Sequence, residues 1–165
     1  MSAYLKQTDY VNAYDLARDK KVIEGQAKLS DLPRLKDMIL PTEGTVTYRI
    51  CGMTAKKGWP GAVMELATVV PLVCNRCTKP MDFKIEREVA FRFAKSEEDD
   101  DTEVIVGSDK LNLADWIEEE LILSLPLVPA HEEGCQTDGP EESKDEVQKP
   151  NPFAKLKDLK GLRKV

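Results

Sequence analysis

The residues best equipped for chemistry are cysteines and a single histidine. Cys74 and Cys77 form a C-x-x-C, written Cys74-Asn75-Arg76-Cys77, with strand-type patterning on both sides. That places the pair at the tip of a predicted hairpin, where a tight turn can aim two sulfurs at one point, as zinc requires. His131, the only histidine, lies four residues before Cys135 in a stretch without regular periodicity. Cys74, Cys77, His131 and Cys135 could together complete a tetrahedral Cys₃His set, the composition of a closed structural zinc centre. The spacing leaves other readings open, because the second half is a lone His-x-x-x-Cys far from the first. Cys74 and Cys77 could be partly buried thiols beside a turn, with His131 a hydrated loop residue. A redox C-x-x-C is a third reading, although thioredoxin-like sites open a helix after a strand, whereas here strand signals lie on both sides. Cys51 falls on the polar side of its strand with Thr45, Thr47 and Arg49, has no cysteine neighbour, and reads as an ordinary thiol.

Other catalytic chemistry is hard to assemble. There is one histidine, no G-x-S-x-G elbow and no phosphate-cradling glycine loop. The carboxylates fall in loops and on a helix surface, with no protected pair of divergent acidity of the kind acid–base catalysis needs. No catalytic residue is nominated, and a non-enzymatic role is expected.

The elements that must position the four ligands follow from hydrophobic periodicity. Ile23 to Leu29 alternates as a half-buried strand. Ser30 is a candidate N-cap and Pro33 fits the first turn of a short helix carrying Leu32, Leu35 and Ile39, stopped at Pro41. Thr45 to Met53 alternates with Val46, Tyr48 and Ile50 on the core side, and Gly58, Pro60 and Gly61 supply the next turn. Ala62 to Val73 is apolar on both faces apart from Glu65 and Thr68, as in a central strand, with Pro71 marking a bulge or edge near its end. Met81 to Ala94 sets Met81, Phe83, Ile85, Val89, Phe91 and Phe93 on one face, interrupted by Arg87. The acidic run from Glu97 to Asp101 reads as a solvated loop before a short strand at Val104 to Val106. Asn112 caps a helix to about Leu125, with Leu113, Trp116, Ile117, Leu121 and Ser124 on one face and Pro126 and Pro129 ending it. The expected fold is a single α+β domain, a mainly antiparallel curved sheet or partial barrel with flanking helices.

At 165 residues and 41% hydrophobic, the chain can bury one proper core, and two full-sized domains would be crowded. No signal-peptide pattern opens it and no stretch is long enough to cross a membrane. Without an export signal, four cysteines suit thiols or metal ligands better than a disulfide framework, and a cytoplasmic setting is expected. The domain is expected over residues 1–131, followed by an acidic flexible linker, 132–148, and a basic tail, 149–165. The net charge of −6 makes the whole chain repel a polyphosphate unless its cations are segregated. They are segregated, since Lys149, Lys155, Lys157, Lys160, Arg163 and Lys164 face only Asp158 in the tail. There Asn151 can cap a short helix beginning at Pro152, and Phe153, Leu156 and Leu159 recur every third residue between lysines. Such a peptide is too short to be helical alone and must order by docking on its own domain, on a protein groove or on RNA. Asn151, Phe153, Lys155, Leu156, Lys157 and Lys160 are the candidate contact residues.

Three features in order resemble one family: the C-x-R-C turn at Cys74 to Cys77 followed by a strand; the acidic helix running into Leu125-Pro126-Leu127-Val128-Pro129-Ala130-His131; and the terminal Lys149-Pro150-Asn151-Pro152-Phe153-Ala154. Together they are similar to the YceD family, the large ribosomal RNA subunit accumulation proteins, from about Ile23 to the tail. In that resemblance Cys74 and Cys77 match the family's C-x-x-C, His131 and Cys135 its later His and Cys, and Pro150 to Ala154 its tail. It implies a ribosome-biogenesis role in synthesis, processing or stability of large-subunit (23S) ribosomal RNA, with no defined reaction. The implied partners are that RNA or its precursor, or ribosome assembly proteins, with no membrane and no DNA. An adaptor that acts on assembly factors without touching RNA is the alternative.

Overall fold

The structure, a computed structural model, describes residues 4–6, 8–54, 58–94, 104–106, 109–132 and 134–135. In chain order the elements are β1 (Tyr10–Val11), α1 (Ala13–Arg18), β2 (Val22–Lys28), a 3₁₀ turn (Leu29–Asp31), α2 (Pro33–Lys36), β3 (Thr45–Thr54), β4 (Pro60–Val73), β5 (Pro80–Ala94), β6 (Val104–Val106), β7 (Leu111–Asn112) and α3 (Leu113–Ser124). The main sheet has the order β2-β3-β4-β5-β6, antiparallel except for the parallel β5–β6 pair, and β1 pairs with β7 separately. Among the described residues β2 and β6 are its two edges and do not meet, so the sheet is open and not closed into a barrel. The fold is α+β, as expected.

The alternation read in the sequence is the alternation of burial. Val46, Tyr48 and Ile50 of β3 are buried, as are Met64, Leu66, Val70 and Leu72 of β4 and Ile85, Phe91 and Phe93 of β5. The helices cover this face with Leu16, Leu35, Ile117 and Leu121, and Trp116 meets Phe91 and Phe93 edge-on at centroid distances of 5.1 and 6.0 Å. Pro71 is accommodated as a proline must be. The pairing of β3 with β4 stops at Ala67, so no ladder on that side needs the missing N–H, and the Pro71 carbonyl accepts from the Leu40 amide at 2.9 Å. Arg87, the interruption in β5, points to the core side and pairs with Glu120 of α3 at 3.6 Å.

Two sequence expectations are corrected, and one region was not anticipated. Ser30 does not cap α2: it lies within the 3₁₀ turn, and Leu32 occupies the cap position without a side-chain bond. Two α3 carboxylates assigned to a helix surface are buried, Glu118 at 1% and Glu120 at 7% exposure. Glu118 performs the capping that Ser30 does not, accepting from the amides of Arg34 and Leu35 at 2.7 and 3.0 Å and from Arg34 Nε at 3.1 Å. Finally, the N-terminal region holds an element with no counterpart in the sequence reading. Asn12 caps α1 by accepting from the amides of Tyr14 and Asp15 at 3.0 and 3.1 Å. Among the described residues no helix is long and apolar enough to cross a membrane.

Candidate metal centre

The hairpin of β4 and β5 extends beyond the end of β3, with Cys74 directly after β4 and Cys77 in the turn that leads back to β5. The turn is closed by backbone bonds from Thr78 to the Cys74 carbonyl at 2.9 Å and from Cys74 to the Lys79 carbonyl at 3.0 Å. Thr78 takes a left-handed φ of 58°, an uncommon conformation for a branched side chain that lets the chain reverse tightly after the second cysteine.

His131 and Cys135 reach the tip from α3. Asn112 starts that helix by accepting from the amides of Ala114 and Asp115 at 2.9 and 3.4 Å. Leu125, which precedes Pro126, is extended (φ −69°, ψ 141°), as the proline ring demands, and the helix ends there. The following segment runs to the hairpin tip, where the Asn75 amide donates to the Pro129 carbonyl at 2.8 Å. That bond sets His131 beside the cysteines.

The four predicted ligand atoms all lie within 4.8 Å of one another. Cys74 Sγ is 3.3 Å from Cys135 Sγ, and His131 Nδ1 is 3.5 Å from both Cys77 Sγ and Cys135 Sγ. Zinc–sulfur bonds of 2.3 Å and zinc–nitrogen bonds near 2.0 Å in a tetrahedron imply edges of about 3.8 Å between sulfurs and about 3.6 Å between sulfur and nitrogen. The two histidine edges of 3.5 Å match that cage, while the 3.3 Å Cys74–Cys135 edge is shorter than it requires; the cluster presents Nδ1 of the histidine, with Nε2 outside it. All four cysteines are free thiols. Cys51 sits elsewhere, on β3 between Val22 and Val63.

The electrostatics favour a thiolate at the centre of this group. Burial pushes the Cys74 thiol up, but the amides of Cys77, Arg76 and His131 and the Cys135 thiol outweigh it and bring its pKa to about 5. Cys135 moves upward, chiefly because its S–H is held by Cys74. With one sulfur polarised in this way, a divalent cation would still have to displace protons from the other thiols to bind. Such a centre would tie the end of α3 to the far end of the sheet. The tail candidates Asn151, Phe153, Lys155, Leu156, Lys157 and Lys160 lie outside the described residues, as do the acidic run at 97–101 and almost all of the predicted linker.

The fold and site define a small open-sheet α+β domain that gathers three cysteines and a histidine at the tip of its longest hairpin. The sequence profile of the family described as Large ribosomal RNA subunit accumulation protein YceD matches residues 62–160, from β4 through all four cluster residues and into the basic tail. The chain belongs to the YceD family. One similar relative is the Large ribosomal RNA subunit accumulation protein YceD of Haemophilus influenzae, 36% identical over 104 residues. That match covers 55% of this chain and 60% of the relative's length. No solved structure matches.

Proposed function

We propose that the chain is a non-catalytic ribosome-biogenesis factor that supports the accumulation of large-subunit (23S) ribosomal RNA in the cytoplasm. The observation that carries this reading is the continuity of the family match across residues 62–160, which takes in the hairpin, the ligand cluster and the tail together. In this reading residues 132–148 are a linker and residues 149–165 are the recognition segment. Lys155, Lys157 and Lys160 neutralise phosphates while Phe153 and Leu156 make the apolar contact.

Cys74, Cys77, His131 and Cys135 hold zinc as a structural ion. Bound zinc would supply a rigid link between the hairpin and the chain leaving α3, which fixes where the linker and tail depart from the domain. Protein purified without added metal should contain about one equivalent of zinc, as a single closed site requires. Cys77→Ser should remove the metal and lower thermal stability; a metal-free preparation of unchanged stability contradicts the assignment.

The test of function is crosslinking and sequencing of RNA bound to the tagged protein in cells, beside a chain truncated after Lys149. Large-subunit precursor RNA enriched by the full chain and lost on truncation supports direct binding through the tail. Crosslinks at background level support a second reading, an adaptor for ribosome assembly proteins. The observation favouring that reading is apolar surface beside the cluster, where Leu127 is 98% and Val128 65% exposed.

A further inference from the structure

The face of the main sheet turned away from the helices is uncovered among the described residues, and it is acidic. A trough of about 720 Å³ crosses β2 to β5 there, its walls built by Glu24, Arg49, Glu65, Glu86 and Glu88. Arg49 lies 4.0 Å from Glu24, and Lys84 pairs with Glu86 at 2.7 Å. Strand register sets Glu65 between Arg49 on β3 and Glu88 on β5, so Glu88 has a like charge opposite it and the row Glu24, Arg49, Glu65, Glu88 stays net negative. Like charges facing each other across a ladder destabilise it, so the sheet carries a negative stripe that a cation laid over it would relieve. The same face of β4 continues toward the hairpin tip as Ala67, Val69 and Val73, and the two valines are 49% and 42% exposed. Carboxylates beside an apolar strip are the complement of a basic peptide with apolar residues at every third position.

The chain contains such a peptide. In residues 149–165 Phe153, Leu156 and Leu159 alternate with Lys155, Lys157 and Lys160. We propose that this tail docks in cis across the acidic trough, its lysines over Glu65, Glu86 and Glu88 and its apolar residues along Ala67, Val69 and Val73. The contact is possible by length. Cys135 Sγ lies 3.3 Å from Cys74 Sγ, at the end of β4. From there the trough, centred near Leu66, is about 26 Å back along the strand at ~3.3 Å per residue. Residues 136–152 can span up to about 55 Å when extended. Tethering raises the local tail concentration to the order of mM, so even a weak complementary contact is well populated. The docked tail is a self-masking device: an anionic ligand of the lysines must displace the sheet's glutamates, which sets a threshold against weak, non-specific polyanions. This contact does not depend on which polyanion or partner the tail engages when released.

The experiment is amide NMR of the full ¹⁵N-labelled chain compared with Lys155→Glu/Lys157→Glu/Lys160→Glu. The expected result is a set of shift changes on residues 65, 67, 69, 86 and 88, with the core amides of Ile50 and Met64 unmoved as the control for folding. The same amides should move in the unsubstituted chain at ~1 M salt, where charges more than ~3 Å apart are screened. Adding Glu65→Lys/Glu88→Lys to the reversed tail should bring the amide of Val69, which neither substitution replaces, back toward its original shift. Changes confined to the Leu123–Val128 surface, or no changes, overturn the proposal. Changes that grow with protein concentration also overturn it, since the occupant is then the tail of a second copy.

Discussion

The Cys74 sulfur is fully buried, yet three backbone amides and a neighbouring thiol point at it, so its charged form is solvated by the fold instead of by water. In the metal-free chain this makes stability depend on pH in a defined direction. The folded pKa is about 5 against an ordinary value of 9.0, so the unfolded chain holds the proton more tightly. The stabilisation is complete above pH 9.0, shrinks as the pH falls, and is gone below about 5. Cys135 shifts upward, so its contribution is present below pH 9.0 and is lost as the pH rises through its folded value. With chelator present, the urea midpoint should therefore rise from pH 5 toward 9 and fall beyond it, and Cys74→Ser should flatten the rising limb. A flat profile in the unsubstituted chain would mean that the amides do not hold a thiolate. The four residues that gather at this site were legible in the sequence as the C-x-x-C and the later His and Cys, residue types that suit a zinc centre. That His131 turns Nδ1 to the sulfurs and that amides gathered on Cys74 lower its pKa were not legible, since both follow from backbone groups, including the Asn75–Pro129 contact, brought together by the fold.

Among the elements, α1, α2 and α3 are held to the sheet by specific devices more than by their own propensity. A helix as short as α1 or α2 has no independent stability. α1 packs so closely on β3 that a Cβ built on Gly52 would lie 1.8 Å from the Leu16 carbonyl oxygen, a backbone atom that cannot rotate away. Gly52→Ala should push α1 off the sheet and cost about 1–3 kcal/mol in a denaturation experiment, in the range of other overpacking changes. A cost near zero would show that the contact is looser. α2 depends on Glu118, which serves two amides and a guanidinium from inside the core. Glu118→Ala leaves these donors unserved and should cost about 2–4 kcal/mol. Glu118→Gln should cost less, because its carbonyl can still accept from the two amides. The five strands of the main sheet were legible element by element, as were the Asn112 cap and the Pro126 stop, because burial on one face writes itself as alternation; the two-residue strands β1 and β7 were too short to show any. Glu118 was not, because a run of three glutamates is ordinarily a solvated helix face, and only the docking of α2 tells which of them turns inward.

For the molecule as a whole the governing feature is the separation of charge between an acidic sheet face and a basic tail. If the tail binds RNA, affinity should fall with salt with a log–log slope of about −0.7 per phosphate neutralised on a single strand. Replacing Lys155, Lys157 and Lys160 with Ala should lower that slope by about 2. An unchanged slope in a filter-binding titration would place the RNA contacts elsewhere. The amino-acid sequence by itself determined the α+β class, the central hairpin, the identity of the four cluster residues and the family, because each is carried by local periodicity, residue type or an ordered set of motifs. Tertiary structure alone decided that the sheet stays open, that β6 joins β5 in parallel, that Glu118 caps a helix far from it in sequence, and that His131 and Cys135 meet the hairpin tip. Those outcomes depend on which distant backbone groups pair and which faces pack, and periodicity along the chain carries no record of its partners across space.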